Sequence, residues 1–286
     1  MWYYKIKKEL FMLENINNEI SRFEFLSGNT LKIIAFASMI CDHFAKIVLF
    51  WWFYSMYYLQ YKAGAIAFSE IESLYNLIIV TMPAIGRLAF PIFCFFIVEG
   101  FIHTKNRTRY MVLMGIFAVV SELPFDLAFY AFITGEMYNF VGSFIYQNVL
   151  FTMLIGLFAL LCIEKIQNSD MKIQLQVLLQ ALAIFAFASL ADLCKTDYAS
   201  EGVLFIVAFY LLKDNRIFAS VSHLVIYALY ELSVPPIMYF VATALILLYN
   251  GKRGKLKMKY FFYIFYPAHL AIFYAIVYFS GWMGVL

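Results

Sequence analysis

An aspartate directly before a histidine, Asp42-His43, lies inside an apolar run, and a second histidine, His269, lies inside another run near the end of the chain. Imidazole is the side chain best matched to proton transfer near neutral pH, and a carboxylate beside it raises its basicity and fixes its tautomer. The pair points to general-base chemistry on an amine or hydroxyl acceptor. His43 is the first choice for the base, Asp42 supports it, and His269 is the second candidate. Simpler roles fit some of these residues. Asp42 and Lys46 have helical i,i+4 spacing and could pair with each other, which accounts for Lys46 and leaves His43 unexplained. A single histidine in a membrane helix often serves only as an interhelical hydrogen-bonder. Adjacent helix positions point about 100° apart, so Asp42 could orient a group other than His43.

Opposite charges also stand within the run from Thr81 to Thr104, at Arg87 and Glu99. A charge at membrane depth is costly and is normally retained with a partner. The helical rise between Arg87 and Glu99 is about 18 Å, so each needs partners on other helices. Glu122 and Asp126 share one helix face around Pro124, where like charges repel. Arg87 is expected at matching depth, as the centre of a clamp that fixes packing or frames a substrate pocket. Gln147 and Asn148 open the following apolar run. Glu99 and His103 have i,i+4 spacing and read as a simple contact, and His223 reads as structural. No Walker loop, HExxH, GxSxG or dinucleotide fingerprint occurs, and no pattern suggests a metal or nucleic acid. Cys41, Cys94, Cys162 and Cys194 show no CxxC or zinc spacing and read as free, packed thiols.

The elements that carry these residues are apolar helices. The chain is 64% apolar and 14% charged, against about 25% charged for a soluble domain. These values predict an all-α, polytopic transmembrane bundle with one core. Nine spans are expected, at about 30–53, 78–103, 109–132, 145–163, 172–192, 199–213, 216–231, 234–250 and 259–281. Residues 1–29 are too charged for a cleavable signal and read as an interfacial amphipathic segment, leaving 30–286 as the transmembrane domain. Positive charge alternates between loops. One set carries Lys105, Arg107, Arg109, Lys165, Lys172, Lys213, Arg216, Lys252, Arg253, Lys255, Lys257 and Lys259, whereas the other carries only Lys62 and Lys195. The positive-inside rule then puts the N-terminus in the cytoplasm and the C-terminus outside.

Six ordered blocks resemble the TraX family. They are Leu31-Lys32-Ile33-Ile34-Ala35 with Met39-Ile40-Cys41-Asp42-His43; Gly86-Arg87-Leu88-Ala89-Phe90-Pro91-Ile92-Phe93 with Val98-Glu99-Gly100-Phe101 and His103-Thr104-Lys105-Asn106-Arg107; Ser121-Glu122-Leu123-Pro124-Phe125-Asp126; Gln147-Asn148-Val149-Leu150-Phe151-Thr152; Asp197-Tyr198 with Gly202-Val203-Leu204; and Tyr249-Asn250-Gly251-Lys252-Arg253-Gly254 with Phe265-Tyr266-Pro267-Ala268-His269-Leu270. The match covers about residues 30–275, and the turn 198–202 carries fewer glycines than the family pattern.

The resemblance implies an integral inner-membrane acyltransferase, from a group similar to the acyltransferase-3 proteins, with pilin acetylation and conjugation associated with its name-giving member. It implies acetyl-CoA or another acyl-CoA as cytoplasmic co-substrate and no metal. The acceptor at the outer side would be a pilin-like peptide, a glycan or a lipid. Carried onto this chain, the reading gives His43, Asp42 and His269 catalytic roles. It assigns Arg87, Glu99, Glu122, Asp126 and Asn148 to the substrate side, and Lys105, Arg107, Lys252 and Arg253 to CoA phosphates. Two rival readings use the same residues: a proton- or ion-coupled transporter, disfavoured by the lack of an internal repeat, and a non-catalytic membrane component of a pilus or secretion assembly.

Overall fold

In lipid, the backbone of an apolar run must satisfy its own N–H and C=O groups, so such runs fold as helices. The computed structural model describes residues 24–134, 146–230, 236–256 and 260–282, with side chains to 129 in the first stretch. Residues 1–23 of the expected N-terminal segment, 1–29, lie outside the described residues. Among those described, the structure is all-helical, and β pairing is limited to two isolated bridges, Leu26 with Tyr249 and Gln147 with Thr196.

Among the described residues nine helical segments follow one another: α1 (Gly28–Lys62), α2 (Phe68–His103), α3 (Arg107–Thr134), α4 (Val149–Gln167), α5 (Ile173–Leu193), α6 (Ala199–Leu211), α7 (Arg216–Tyr230), α8 (Ile237–Leu247) and α9 (Phe261–Ser280). Six of them, α1 to α5 and α9, are long and apolar enough to cross a membrane, and the protein is a multi-pass membrane protein. The shorter α6 to α8 are apolar as well. The expected first span ends at residue 53 and the second begins at 78. The helices instead run on to Lys62 and start at Phe68, forming a long hairpin with its own small core around Phe53, Ile71 and Ile78.

Successive helices reverse direction, and hydrogen bonds tie their ends together. Leu26 N donates to Leu248 O (3.0 Å), Gly28 N to Lys252 O (2.8 Å) and Asn29 N to Arg253 O (2.9 Å), so the loop after α8 closes over the start of α1. An Arg216–Glu24 pair joins the start of α7 to this region, and an Arg107–Glu164 pair joins the start of α3 to the end of α4. We call this the basic end. At the opposite end Gln147 N donates to Lys195 O (3.1 Å), which links the start of α4 to the turn after α5.

α6 is short but central, packing against α2, α4, α5 and α7. It is apolar all round and buries Val203, Phe205, Ile206, Val207 and Phe209, the behaviour of a helix enclosed on every side. α5 fully buries only Ala191 and packs Ile184 and Phe187 against the core, which leaves Leu175, Leu178, Leu182, Phe185 and Leu190 exposed on its outer face.

Two local irregularities position the polar residues. α1 widens into a π-helical turn at Phe44–Leu49, directly after Asp42-His43; single π turns in α-helices often occur at functional sites. α2 tightens at Arg87, where Arg87 N bonds to Ala84 O (3.2 Å) and Leu88 N to Ile85 O (3.2 Å). Pro91 has no N–H to return to the Arg87 carbonyl, which explains why regular helix fails at that step.

Candidate functional site

His43, in the last turn of the first α-helical stretch of α1, meets His269 from α9. His43 Nδ1 and His269 Nε2 are 2.7 Å apart, and the rings stack with centroids 5.0 Å apart and planes 7° apart. His269 Nδ1 lies 2.9 Å from Phe265 O. These contacts determine the tautomers. A carbonyl can only accept, so His269 Nδ1 carries the hydrogen and donates it. In the neutral ring Nε2 then holds the lone pair and accepts from His43 Nδ1–H. His43 Nε2 is left with a lone pair, 3.8 Å from Asp42 Oδ2. The bond between the rings is the interhelical link expected of a structural histidine, and it also presents one imidazole nitrogen as a base.

Asp42 holds Lys46 by the i,i+4 pairing expected from spacing, with Nζ 2.9 Å from Oδ1 and 3.1 Å from Oδ2. A Cβ on Gly86 would stand 2.3 Å from Asp42 Cβ, so α2 approaches α1 this closely only because residue 86 has no side chain. That approach brings the tightened turn of Arg87 to the same place. Arg87 lies within electrostatic range of Asp42, Asp197 and Tyr198.

The acids of α3, expected to share Arg87, have Asn148 and each other as their nearest polar neighbours. Glu122 Oε2 accepts from Asn148 N (3.2 Å) and from Asn148 Nδ2 in a very short contact. Asn148 Nδ2 also donates to Ala118 O (2.8 Å), and its Oδ1 caps α4 by accepting from Leu150 N (3.1 Å). Asn148 is thus a helix cap that binds α4 to α3, with its amide fully engaged. Asp126 is buried next to Glu122, on the face expected. Rise along a helix sets the depth of a side chain and says nothing about which neighbour it faces.

Glu99 lies at the basic end, apart from the histidine pair. Its backbone oxygen is 3.0 Å and its carboxylate 4.0 Å from His103 Nδ1, the simple contact expected. Lys32, unassigned in the sequence reading, is near Glu99 and Arg253, and its ammonium packs against the Phe96 and Phe262 rings at 4.6 and 5.2 Å. Among the expected CoA cations, Lys105, Lys252 and Arg253 are exposed at this end. Arg107 is committed elsewhere: it pairs with Glu164, donates to Phe101 O (3.1 Å) and lies 4.3 Å over the Phe101 ring. His223 is buried, with Nε2 3.2 Å from Tyr239 O and 3.3 Å from Thr243 Oγ1, as a structural residue should be. The cysteines are free thiols. Among the described residues no group of His, Cys, Asp and Glu is placed to hold a metal ion.

The sequence reading missed two residues. Tyr266, one turn before His269, lies against the backbone of Val149 and within range of Asp197 and Glu122, which bridges the histidine pair to the Asn148 cap. Asp197 stands among Lys46, Asp42 and Arg87. Both fall in quoted blocks: Tyr266 is uncharged, and Asp197 reads as a polar residue just before the sixth span, with no role assigned.

Comparison with known proteins places this arrangement. A family model described as TraX protein matches residues 27–277. The probable fimbrial assembly protein FimC, serogroup H1, of Dichelobacter nodosus is 28% identical over 269 residues, covering 88% of this chain and 96% of that protein. No solved structure matches the chain.

Proposed function

The chain belongs to the TraX family, and from that premise we propose that it is an inner-membrane acyltransferase, which passes an acyl group, acetyl in the simplest case, from acyl-CoA at the basic end to an amine or hydroxyl acceptor. The observation that carries this reading is the relay from the Phe265 carbonyl through His269 to His43, which leaves His43 Nε2 as the available base. In the proposed step His43 Nε2 takes the proton of the acceptor N–H or O–H. The acceptor atom attacks the thioester carbonyl carbon, the C–S bond breaks, and the CoA thiolate leaves and recovers the proton from His43. Asp42 Oδ2, 3.8 Å from that nitrogen, favours the imidazolium formed on the way. Arg87 supplies the positive charge for the developing oxyanion. Lys32, Lys105, Lys252 and Arg253 supply positive charge for the phosphates of CoA. The name of the Dichelobacter relative suggests a fimbrial subunit as acceptor.

The same name favours a second reading, a fimbrial assembly component without catalysis. Incubation of the purified full chain in nanodiscs with radiolabelled acetyl-CoA separates the two. The enzyme reading expects acyl-CoA turnover in the wild type and a loss of about 10²- to 10⁴-fold in His43→Ala, the range for a general base. Acyl-CoA binding should survive that substitution. A wild type that neither binds nor consumes acyl-CoA of any chain length sinks the enzyme and leaves the assembly component.

A further inference from the structure

Between α5 and α6 the chain turns through residues that adopt left-handed backbone without being glycine: Lys195 (φ 50°), Tyr198 (φ 61°) and Ala199 (φ 36°). Cβ atoms crowd the backbone in that region, so such strain persists only where the surroundings over-determine it, and it concentrates at functional sites. Here the surroundings are visible. Asp197 N donates to Gln147 O (2.8 Å), Ser200 N donates to Asp192 Oδ1 (2.9 Å), and Thr152 Oγ1 donates to Asp197 O. The Tyr198 ring stacks on Phe90 with centroids 3.5 Å apart and planes 10° apart. Gly202 leaves room for this arrangement, since a Cβ there would lie 2.6 Å from Thr152 and 2.8 Å from Phe90. The result is the placement of one carboxylate. Asp197 is solvent-accessible at this turn, and its electrostatic neighbours are Lys46, Asp42 and Arg87.

We infer that Asp197 is a positioning residue of the acyl-transfer centre, the second carboxylate that shares Lys46 and Arg87 with Asp42; the inference rests on the acyltransferase reading. Two cations facing Asp42 alone would leave the surroundings of His43 with an excess positive charge, which opposes formation of its imidazolium. With Asp197 the group holds two carboxylates and two cations, and Asp42 remains able to support the base. The strained turn is what brings the fourth charge to them.

The test uses the full chain in nanodiscs. Asp197→Asn should lower kcat by about tenfold or more while KM for acyl-CoA changes little, and Asp197→Glu should recover part of the loss. Adding Lys46→Met to Asp197→Asn removes one charge of each sign and should restore at least part of the rate, a coupling that a merely structural aspartate would not show. Thermal unfolding gives a readout independent of transfer: Lys46→Met should lower Tm less in the Asp197→Asn background than in the wild type. Wild-type kcat in Asp197→Asn, or additive effects of the two substitutions on rate or on Tm, overturns the inference. Absence of transfer in the wild type, with coupled Tm shifts, sinks only the acyltransferase reading and leaves the charge sharing in place.

Discussion

At the scale of single residues, the Phe265 carbonyl determines which imidazole nitrogen can act as a base, because it can only accept and so fixes the hydrogen positions in both rings. A prediction follows from the direction of that relay. His269→Gln keeps an oxygen able to accept from His43 Nδ1–H, whereas His269→Phe fills similar space and accepts nothing. Transfer assays should show His269→Phe impaired by about 10²-fold and His269→Gln by clearly less. Equal losses in both variants would mean that His269 contributes packing alone. A second prediction concerns the basic end. Arg107 is engaged by Glu164 and Phe101, so Arg107→Ala should lower Tm and leave acyl-CoA affinity nearly unchanged. Joint Lys252→Glu and Arg253→Glu should weaken acyl-CoA binding, most at low salt, where screening is least. If Arg107→Ala proves the more damaging to affinity, the assignment of cations to CoA is reversed. The histidines, Asp42 and the Asp42–Lys46 pair were legible because membrane depth makes polar side chains conspicuous. The engagement of Asn148 as a cap was not, since an asparagine just before an apolar run has the same sequence appearance as a capping residue or a binding one.

At the scale of elements, the all-helical architecture was legible from hydropathy, and the lengths of α1 and α2 were not. The segment from Tyr54 to Lys62 is rich in tyrosine and polar groups, so its hydropathy falls before its helix ends. The π-helical turns and the tightened step at Arg87 also left no periodic signal, although Pro91 gives a reason for the latter once the helix is known. What brings α1 and α2 together is the bare backbone of Gly86 against Asp42, a contact between elements that spacing within one element cannot disclose. Gly86→Ala places a Cβ 2.3 Å from Asp42 Cβ. Separating the two helices enough to relieve that overlap should cost about 1–3 kcal/mol, the usual range for overpacking. If the acyltransferase reading is right, it should also weaken transfer more than the fall in Tm accounts for, since the displaced contact holds Asp42, whose Oδ2 lies 3.8 Å from His43 Nε2. Gly115→Ala is a control, because its Cβ would meet only Leu154 at an ordinary 3.5 Å. Equal behaviour of the two alanine variants would show that the α1–α2 approach is not critical.

At the scale of the molecule, the two ends differ in charge, and orientation follows if the positive-inside rule governs insertion. Among the described residues Lys105, Arg109, Lys252, Arg253 and Lys255 are exposed at the basic end, whereas the turn between α1 and α2 carries Lys62 alone. A basic end in the cytoplasm puts the cations expected to hold CoA where acyl-CoA is found, and the histidine pair then lies between that supply and the far side. Cysteine labelling of intact cells tests this directly. The background needs Cys194→Ser, because Cys194 is exposed at the opposite end and would react by itself. In that background Ala63→Cys, on the α1–α2 turn, should react with a membrane-impermeant maleimide added from outside. Lys255→Cys should react only after the cells are opened. External labelling of Lys255→Cys with protection of Ala63→Cys would invert the protein. The basic loops would then face away from cytoplasmic acyl-CoA, and the acyltransferase reading would lose its donor even if the geometry around His43 were correct.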